Sequence, residues 1–482
     1  MYTFQDFEKS IGQGSITNTI AEAIVAHTNS DMYNTAKSAD EYDHQRNETI
    51  TNYVKTIFSM TGAPIEDFTA SNNRLCSNFF HRLNTQRNTY LLGNGVSFSK
   101  HKEREKNEDG IEITVDTTKQ ALGDKFDTDL KTAGYDALIH GVSFGFWNND
   151  RLYVFPLTEF VPLWDEDTGI LKAGIRFWRI DETKPMIAVL YEEDGYTKFK
   201  SKAPIGMDFE ETDAKRSYKS IVESSEVGGD EVVGTENYGS LPIVPLWGSK
   251  LKQSTLVGMR EKIDSFDLIR SGFANDLTDC AQIYWILENC GGMNDQDLDR
   301  FRSRLKITHI ATADADETKV VPYTQDIPYN ARKEYLDEIR SGIYEDFGGL
   351  DVHTVEAGAT NDHIDAAYQP MDEEADDFEY QVTEFIMQIL SIIGIDDVPV
   401  FKRNRISNQK EQVEMVAMEA NWLDDETILQ KLPNITVDEI AKIMANKLSE
   451  DTEKFETEES SPNNGNGSSL AQNDEGAPTD EE

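Results

Sequence analysis

The sequence predicts an α+β fold, and three observations carry the prediction. Short β-type runs between residues 141 and 202 are separated by tight turns, which favours an antiparallel meander over βαβ units. Three long stretches with apolar residues at helical spacing follow them. Of the 482 residues, 38% are hydrophobic and 10% aromatic. That is enough to build packed cores, and at roughly 150 residues per domain the length suits two to four domains.

From the N-terminus, residues 1 to 90 read as mostly helical, with apolar-periodic pieces at Ala21–His27 and Ile50–Phe58. A longer helix is expected from Asn73 to Leu91, stopped by the turn signal Gly93-Asn94-Gly95. A Lys/Glu-rich polar stretch, His101–Gly110, precedes a helix over Asp124–His140 that Gly141 terminates. The β-runs are Arg151–Phe155, Ala173–Trp178 and Met186–Tyr191, with turns at Asp165–Gly169, Asp181-Glu182 and Glu192–Gly195. Residues 203 to 240 are acidic and Gly-rich and read as a long loop or a poorly ordered hairpin.

The first long helix is expected after a Ser254 or Thr255 cap, with Leu256, Met259, Ile263, Phe266, Ile269, Phe273 and Leu277 along one stripe. The pattern predicts about 28 residues, or roughly 42 Å. Tyr284–Leu287 has strand character, and residues 291 to 330 read as a compact insertion. A second helix, capped by Asn330, carries Ala331, Tyr335, Ile339, Ile343 and Phe347 four apart and ends at Gly348-Gly349. Leu350–Asn361 is a loop. A third helical stretch runs from Asp362 to Ile393, with Ala375, Phe378, Val382, Phe385, Ile389 and Leu390 on one face. Pro370 lies inside it, so it either kinks the helix or marks where the regular part begins. Val398–Arg403 suits a strand, and the remainder is helical, with capping-box patterns at Asn408/Glu411 and Thr436/Glu439. From about residue 453 the chain is too polar to bury a core and is expected to be disordered.

Charge restricts the function classes. The formal net charge is −43, which opposes tight non-specific binding to nucleic acid or to anionic membranes. Residues 1–10 lack a basic stretch followed by an apolar core, so no signal peptide is expected, and the longest near-apolar run, Phe385–Ile395, is too short to span a membrane. The three cysteines, Cys76, Cys280 and Cys290, match no zinc spacing and are expected to be reduced. No phosphate-binding loop, H-E-x-x-H or G-x-S-x-G occurs. Gly12-Gln13-Gly14 reads as a turn, and His140 as a satisfied core residue. Asp295, Asp297 and Asp299 alternate as in a calcium loop, but Arg300 and Lys306 stand where that loop needs Gly and Glu.

Two charge patterns remain. Between Ile364 and Ile395 eight acids occur with no Lys or Arg, among them Asp365, Asp372, Glu373, Glu374, Asp376 and Asp377. They form either a solvated face or an acidic wall turned toward something that must not adhere. In the insertion, Arg300, Arg302, Arg304 and Lys306 alternate and would share one face of a strand. This is a docking surface for an acidic partner or an ordinary charged surface. A second class of function, a metal-dependent hydrolase, would rest on Asp314, Asp316 and Glu317; an exposed acidic turn is the competing explanation.

The order of parts, together with several local segments, resembles the portal protein family of tailed bacteriophages with long non-contractile tails. The segments are Tyr90–Val96, Leu241–Trp247, Asp326–Lys333, Ile343–Val352 and Phe401–Asn404. The resemblance spans residues 40 to 450, though the run after the loop, Ala357–Asp362, is only similar to the family's small-residue run. It implies a wing of mixed α/β structure at 1–250 and 362–400, stem helices at 251–282 and 331–347, and a small α/β clip at 283–330. A tunnel loop at 348–361, a helical crown at 401–455 and a disordered acidic tail at 456–482 complete the set.

It further implies a ring of about twelve subunits at one capsid vertex of the virion, assembled in the host cytoplasm, with double-stranded DNA passing along its axis. The terminase large subunit and then the head–tail adaptor would dock at Arg300, Arg302, Arg304 and Lys306. Major capsid and scaffolding proteins would be further partners, and no metal or other cofactor is implied. The DNA-facing residues would be Gly348, Gly349, Asp351, His353, Glu356, Thr360 and Asn361. Asp365, Asp372, Glu373, Glu374, Asp376 and Asp377 would line an acidic channel, and repulsion of phosphates would leave a moving duplex no deep trap.

Overall fold

The computed structural model describes residues 2–58, 62–66, 71–106, 112–225, 229–280, 284–288, 296, 319–323, 329–352, 361–405, 409–419, 422–423, 425–432 and 443. They fall into two compact units, 1–102 with 116–406 and 103–115 with 407–482. The second contains most of the hairpin Lys102–Lys106 with Glu112–Asp116 and the helices Gln409–Glu419 and Asp425–Lys431. The first contains every other element discussed below.

The expected meander is present. Phe160–Trp164, Leu171–Trp178, Ile187–Glu192, Gly195–Ser201 and Phe209–Arg216 form a five-stranded sheet in chain order, each pair antiparallel. Ile243–Trp247, Val142–Asn148 and Arg151–Pro156 form a three-stranded sheet. The 203–240 region holds the hairpin expected as one alternative, together with a strand that was not expected. Phe209–Arg216 is an edge strand of the large sheet, and Lys219–Ser225 pairs with Gly229–Glu236. The edge strand buries Phe209 and leaves most of its other residues exposed, so little apolar alternation was there to read.

Three other elements differ from expectation. Ile50 lies in a short helix, Glu48–Thr51, and the chain then extends into the strand Thr56–Phe58, which pairs with Pro64–Glu66. The helix expected from Asn73 starts at Phe79. The residues before it, 71–78, form no regular structure: Asn275 Oδ1 accepts from the Asn73 N–H and Ser271 Oγ accepts from the Leu75 N–H at 3.0 Å. The first long helix runs Arg260–Cys280, 21 residues. Ser254 Oγ accepts from the Leu256 N–H, but Gly258 sits at φ +85°, a conformation no α-helix contains, so regular structure begins after it.

The helix Phe126–His140 ends in left-handed Gly141, as expected. The returning helix is Tyr329–Phe347 and the third is one continuous helix, Asn361–Ile393, with Pro370 inside it. The apolar face expected on that helix is buried: Ala375, Phe378, Val382, Phe385, Ile389 and Leu390. Most of it packs in one core with Leu130, Ala137, Trp147 and Leu246. This core fixes the long helix against the three-stranded sheet and turns its acids away from the apolar side. Pro399–Phe401 pairs with Val96–Phe98, which brings residues 402–405 back to the long helix.

Candidate functional site

The returning helix and the long helix are tied to a common support, the helix Phe79–Leu92. Three of its side chains do this. Gln86 makes a reciprocal amide pair with Leu350: its Nε2 donates to the Leu350 carbonyl at 3.0 Å, and its Oε1 accepts from the Leu350 N–H at 3.1 Å. Arg87, buried, donates to the Phe347 carbonyl, lies over the Phe347 ring at 4.2 Å and pairs with Glu374 at 3.2 Å. Burial pulls the Arg87 guanidinium down, and Glu374 opposes that. Tyr90 donates to Asp372 and stacks on Tyr368 with 5.5 Å between ring centroids.

Gly348 ends the returning helix at φ +66°. A Cβ there would stand 2.8 Å from the Glu374 Cγ and 3.1 Å from the Pro370 carbonyl, so only glycine lets the two helices meet at this point. The Gly349 N–H donates back to the Tyr344 carbonyl at 2.8 Å. Asp351 pairs with Arg340 of the returning helix at 3.0 Å.

The acidic helix meets two arginines that follow the strand Pro399–Phe401. Arg403 pairs with Asp372 at 2.8 Å, with Glu379 at 3.0 Å and with Asp376. Arg405 pairs with Asp365 at 3.0 Å and with Asp372, and donates from Nε to the Tyr90 hydroxyl at 2.8 Å. Charge-assisted, forked contacts of this kind are the strong ones. Burial pushes the Asp372 carboxyl up, but the bonds from Tyr90, Arg405 and Arg403 outweigh it and hold the group below its ordinary range. Both arginines are raised despite desolvation by these same carboxylates. Burial and then the Asp372 bond push Tyr90 up to about 12.

The sequence-derived site residues are therefore placed unequally. Gly348, Gly349 and Asp351 form the anchored start of the loop, and Asn361 is the first residue of the long helix. His353, Glu356 and Thr360 lie outside the described residues, as do Arg300, Arg302, Arg304 and Lys306, and also Asp314, Asp316 and Glu317. The acids on the helix are not a bare wall. Asp365, Asp372 and Asp376 are ion-paired, Glu374 is paired to Arg87, and Asp377 accepts from the Lys250 N–H at 2.9 Å. Glu373, which accepts from Gln369 at 3.4 Å, and Glu384 are exposed. Self-repulsion along the helix is relieved by cations distant in sequence.

Gln86, Arg87, Arg403 and Arg405 were not singled out from the sequence. The one available signal was the run Phe401-Lys402-Arg403-Asn404-Arg405, basic and placed soon after an acid-only stretch. The arrangement offers ion pairing and anchoring. Among the described residues, no group of three or more His, Cys, Asp or Glu is placed to hold a metal ion, and no described helix is long and apolar enough to cross a membrane.

Comparison with known proteins adds three findings. The sequence model of the family described as "Phage portal protein, SPP1 Gp6-like" matches residues 23–454. The portal protein of Bacillus phage SPP1 is 22% identical over 456 residues, covering 85% of each chain. The portal protein of Clostridium phage phiCD119 is 28% identical over 244 residues, covering 47% of this chain and 54% of that one, so the chain spans about half the length of this relative. A solved structure, the neck of a native GTA particle, aligns with 64% of this chain and 81% of its own at 9% identity and a TM-score of 0.35, too distant to bear on the fold.

Proposed function

This chain belongs to the phage portal protein family of SPP1 Gp6-like type, and from that premise we propose that many copies form a ring at one capsid vertex through which double-stranded DNA is packaged and ejected. The carrying observation is the family match over residues 23–454. The net charge of −43 agrees with a conduit that does not hold its polyanion. In a head-to-tail ring each subunit shows its neighbours two different faces. The returning helix and the long helix would present residues 348–361 toward the axis, with Gly348 to Asp351 anchored on Gln86, Arg87 and Arg340.

On this reading the subunit is a passive channel, and work is done by a packaging terminase docked at the insertion, replaced later by a head–tail adaptor. The exposed acids of the long helix that have no ion pair among the described residues, Asp362, Glu373 and Glu384, are the ones best able to repel phosphates. Those paired to Arg87, Arg403 and Arg405 hold the scaffold in shape. Native mass measurement and averaged electron micrographs of the purified protein test the reading. A ring with a bore wide enough for a duplex is the expected result. A monomer under all assembly conditions, or a bore lined mainly by cations, overturns it.

A further inference from the structure

Pro370 interrupts the hydrogen-bond ladder of the helix Asn361–Ile393, because it has no N–H to donate to the preceding turn. Such a position is where a long helix bends. Asp365 lies before the break and Asp372 after it, seven residues apart and so on one face. A single side chain from another segment, Arg405, holds both: Nη1 donates to Asp365 at 3.0 Å and Nη2 to Asp372. Its Nε is fixed by the Tyr90 hydroxyl at 2.8 Å, and its guanidinium lies 5.7 Å from the centre of the Tyr368 ring, which itself stacks on Tyr90.

We propose that Arg405 is a positioning residue that braces the long helix across Pro370, so that the segment before the proline moves with the segment after it only while the brace is closed. The two ends of the brace are unequal. Asp372 has a side chain 21% exposed and is also held by Arg403 and Tyr90. Asp365 is 62% exposed, and among the described residues its ion pair is with Arg405 alone. An exposed pair is screened by salt, whereas a half-buried, multiply bonded one is screened much less. The brace therefore opens at Asp365 and stays anchored at Asp372.

A lysine cannot replace it, since one ammonium on a flexible stem does not span two carboxylates as a planar fork does. The consequence for DNA passage rests on the conduit reading above. A push on the first turns of the helix is absorbed at Pro370 when the brace is open and passed to residues 372–393 when it is closed.

The test is amide hydrogen exchange on the purified full chain, read by mass spectrometry at low and at 1 M salt. The measurement needs neither ring nor DNA, so it succeeds or fails separately from the conduit reading, which mass and electron micrographs address. Arg405→Ala is expected to speed exchange in residues 362–371 about two- to fivefold, the scale of one or two exposed ion pairs, with residues 375–393 unchanged. Raising salt should speed the same residues in the native protein and have little further effect in Arg405→Ala. Arg405→Lys should resemble the alanine variant. If Arg405→Ala fails to fold, Asp365→Asn, which cuts the exposed end alone, is expected to give the same local effect. Unchanged exchange before Pro370, equal acceleration on both sides of it, or full rescue by lysine overturns the proposal.

Discussion

Arg403 donates to Asp372 at 2.8 Å, and this contact joins the segment that follows the strand Pro399–Phe401 to the middle of the acidic helix. The same guanidinium reaches Glu379 at 3.0 Å. One cation thus offsets several acids that would repel one another on an isolated helix. Arg403→Ala should destabilise the protein by about 1–3 kcal/mol, the scale of hydrogen bonds to charged groups. Chemical denaturation checks this, and the loss should shrink in 1 M salt.

Asp397 is buried and accepts from the backbone N–H groups of Lys100 and Val398, each at 2.8 Å, and from the Thr118 hydroxyl at 2.7 Å. Burial raises its carboxyl, but these donors outweigh burial and hold it well below the usual carboxylate range. Because the folded value is depressed, the stabilisation is present above the unfolded pKa of about 4 and is lost as pH falls through the folded value. Asp397→Ala should cost about 2–3 kcal/mol at pH 7, and denaturation curves should show the gap to the native protein narrowing below about pH 4.

Asp267 behaves in the opposite sense. It is buried, and burial pushes it up to about 6. Bonds from Ser77 and Asn47 oppose that rise without cancelling it, and its Oδ1 and the Asn47 Oδ1 have no hydrogen-bond partner among the described residues. A raised acid contributes stability while protonated and loses it as pH rises from about 4 through about 6. Asp267→Asn removes the buried charge and supplies a donor beside unpaired oxygens. It should leave stability at pH 4 nearly unchanged and raise it by about 1–3 kcal/mol at pH 8, measured by denaturation at both values.

Gly348→Ala would place a Cβ against Glu374 and Pro370 at a φ of +66°. The expected cost is about 1–3 kcal/mol, read as a lower melting temperature. Gly342→Ala in the same helix is the control, since the nearest atom to its Cβ would be 4.0 Å away.

Glu373 is exposed and takes no part in the arginine contacts. On the conduit reading, Glu373→Lys adds a phosphate contact along the path of the duplex. Rings should form at native yield while DNA packaging slows, and the slowing should lessen with salt. Unchanged packaging in a quantitative assay would show that this face does not meet DNA. Asp372→Lys is not an equivalent probe, because it also removes the anchor of both arginines.

Interactions of short range along the chain are legible in the sequence, and those between distant residues are not. The apolar face of the long helix was legible because Phe378, Val382 and Phe385 recur at its own period. The order of meander strands was legible because turn residues punctuate them. The buried face of the first long helix differs from its apolar stripe: Leu277 is exposed, while Asp267, Ser271 and Asn275 are buried. Those polar residues also recur four apart, but their partners are Asn47, Leu75 and Asn73, and nothing in local periodicity announces them.

The sequence by itself determined the class of the fold, the acidity of the chain, the stops at Gly141 and Gly348, and the family, since each follows from local pattern or from ordered segments of the chain. Tertiary structure alone decided that Arg403 and Arg405 reach the acids of the long helix, that Arg87 and Gln86 anchor the end of the returning helix, and that Gly258 delays the first long helix. These are pairings between residues far apart along the chain, or backbone angles set by them. Their energy depends on distance and burial in space, which a one-dimensional pattern of residue types does not carry.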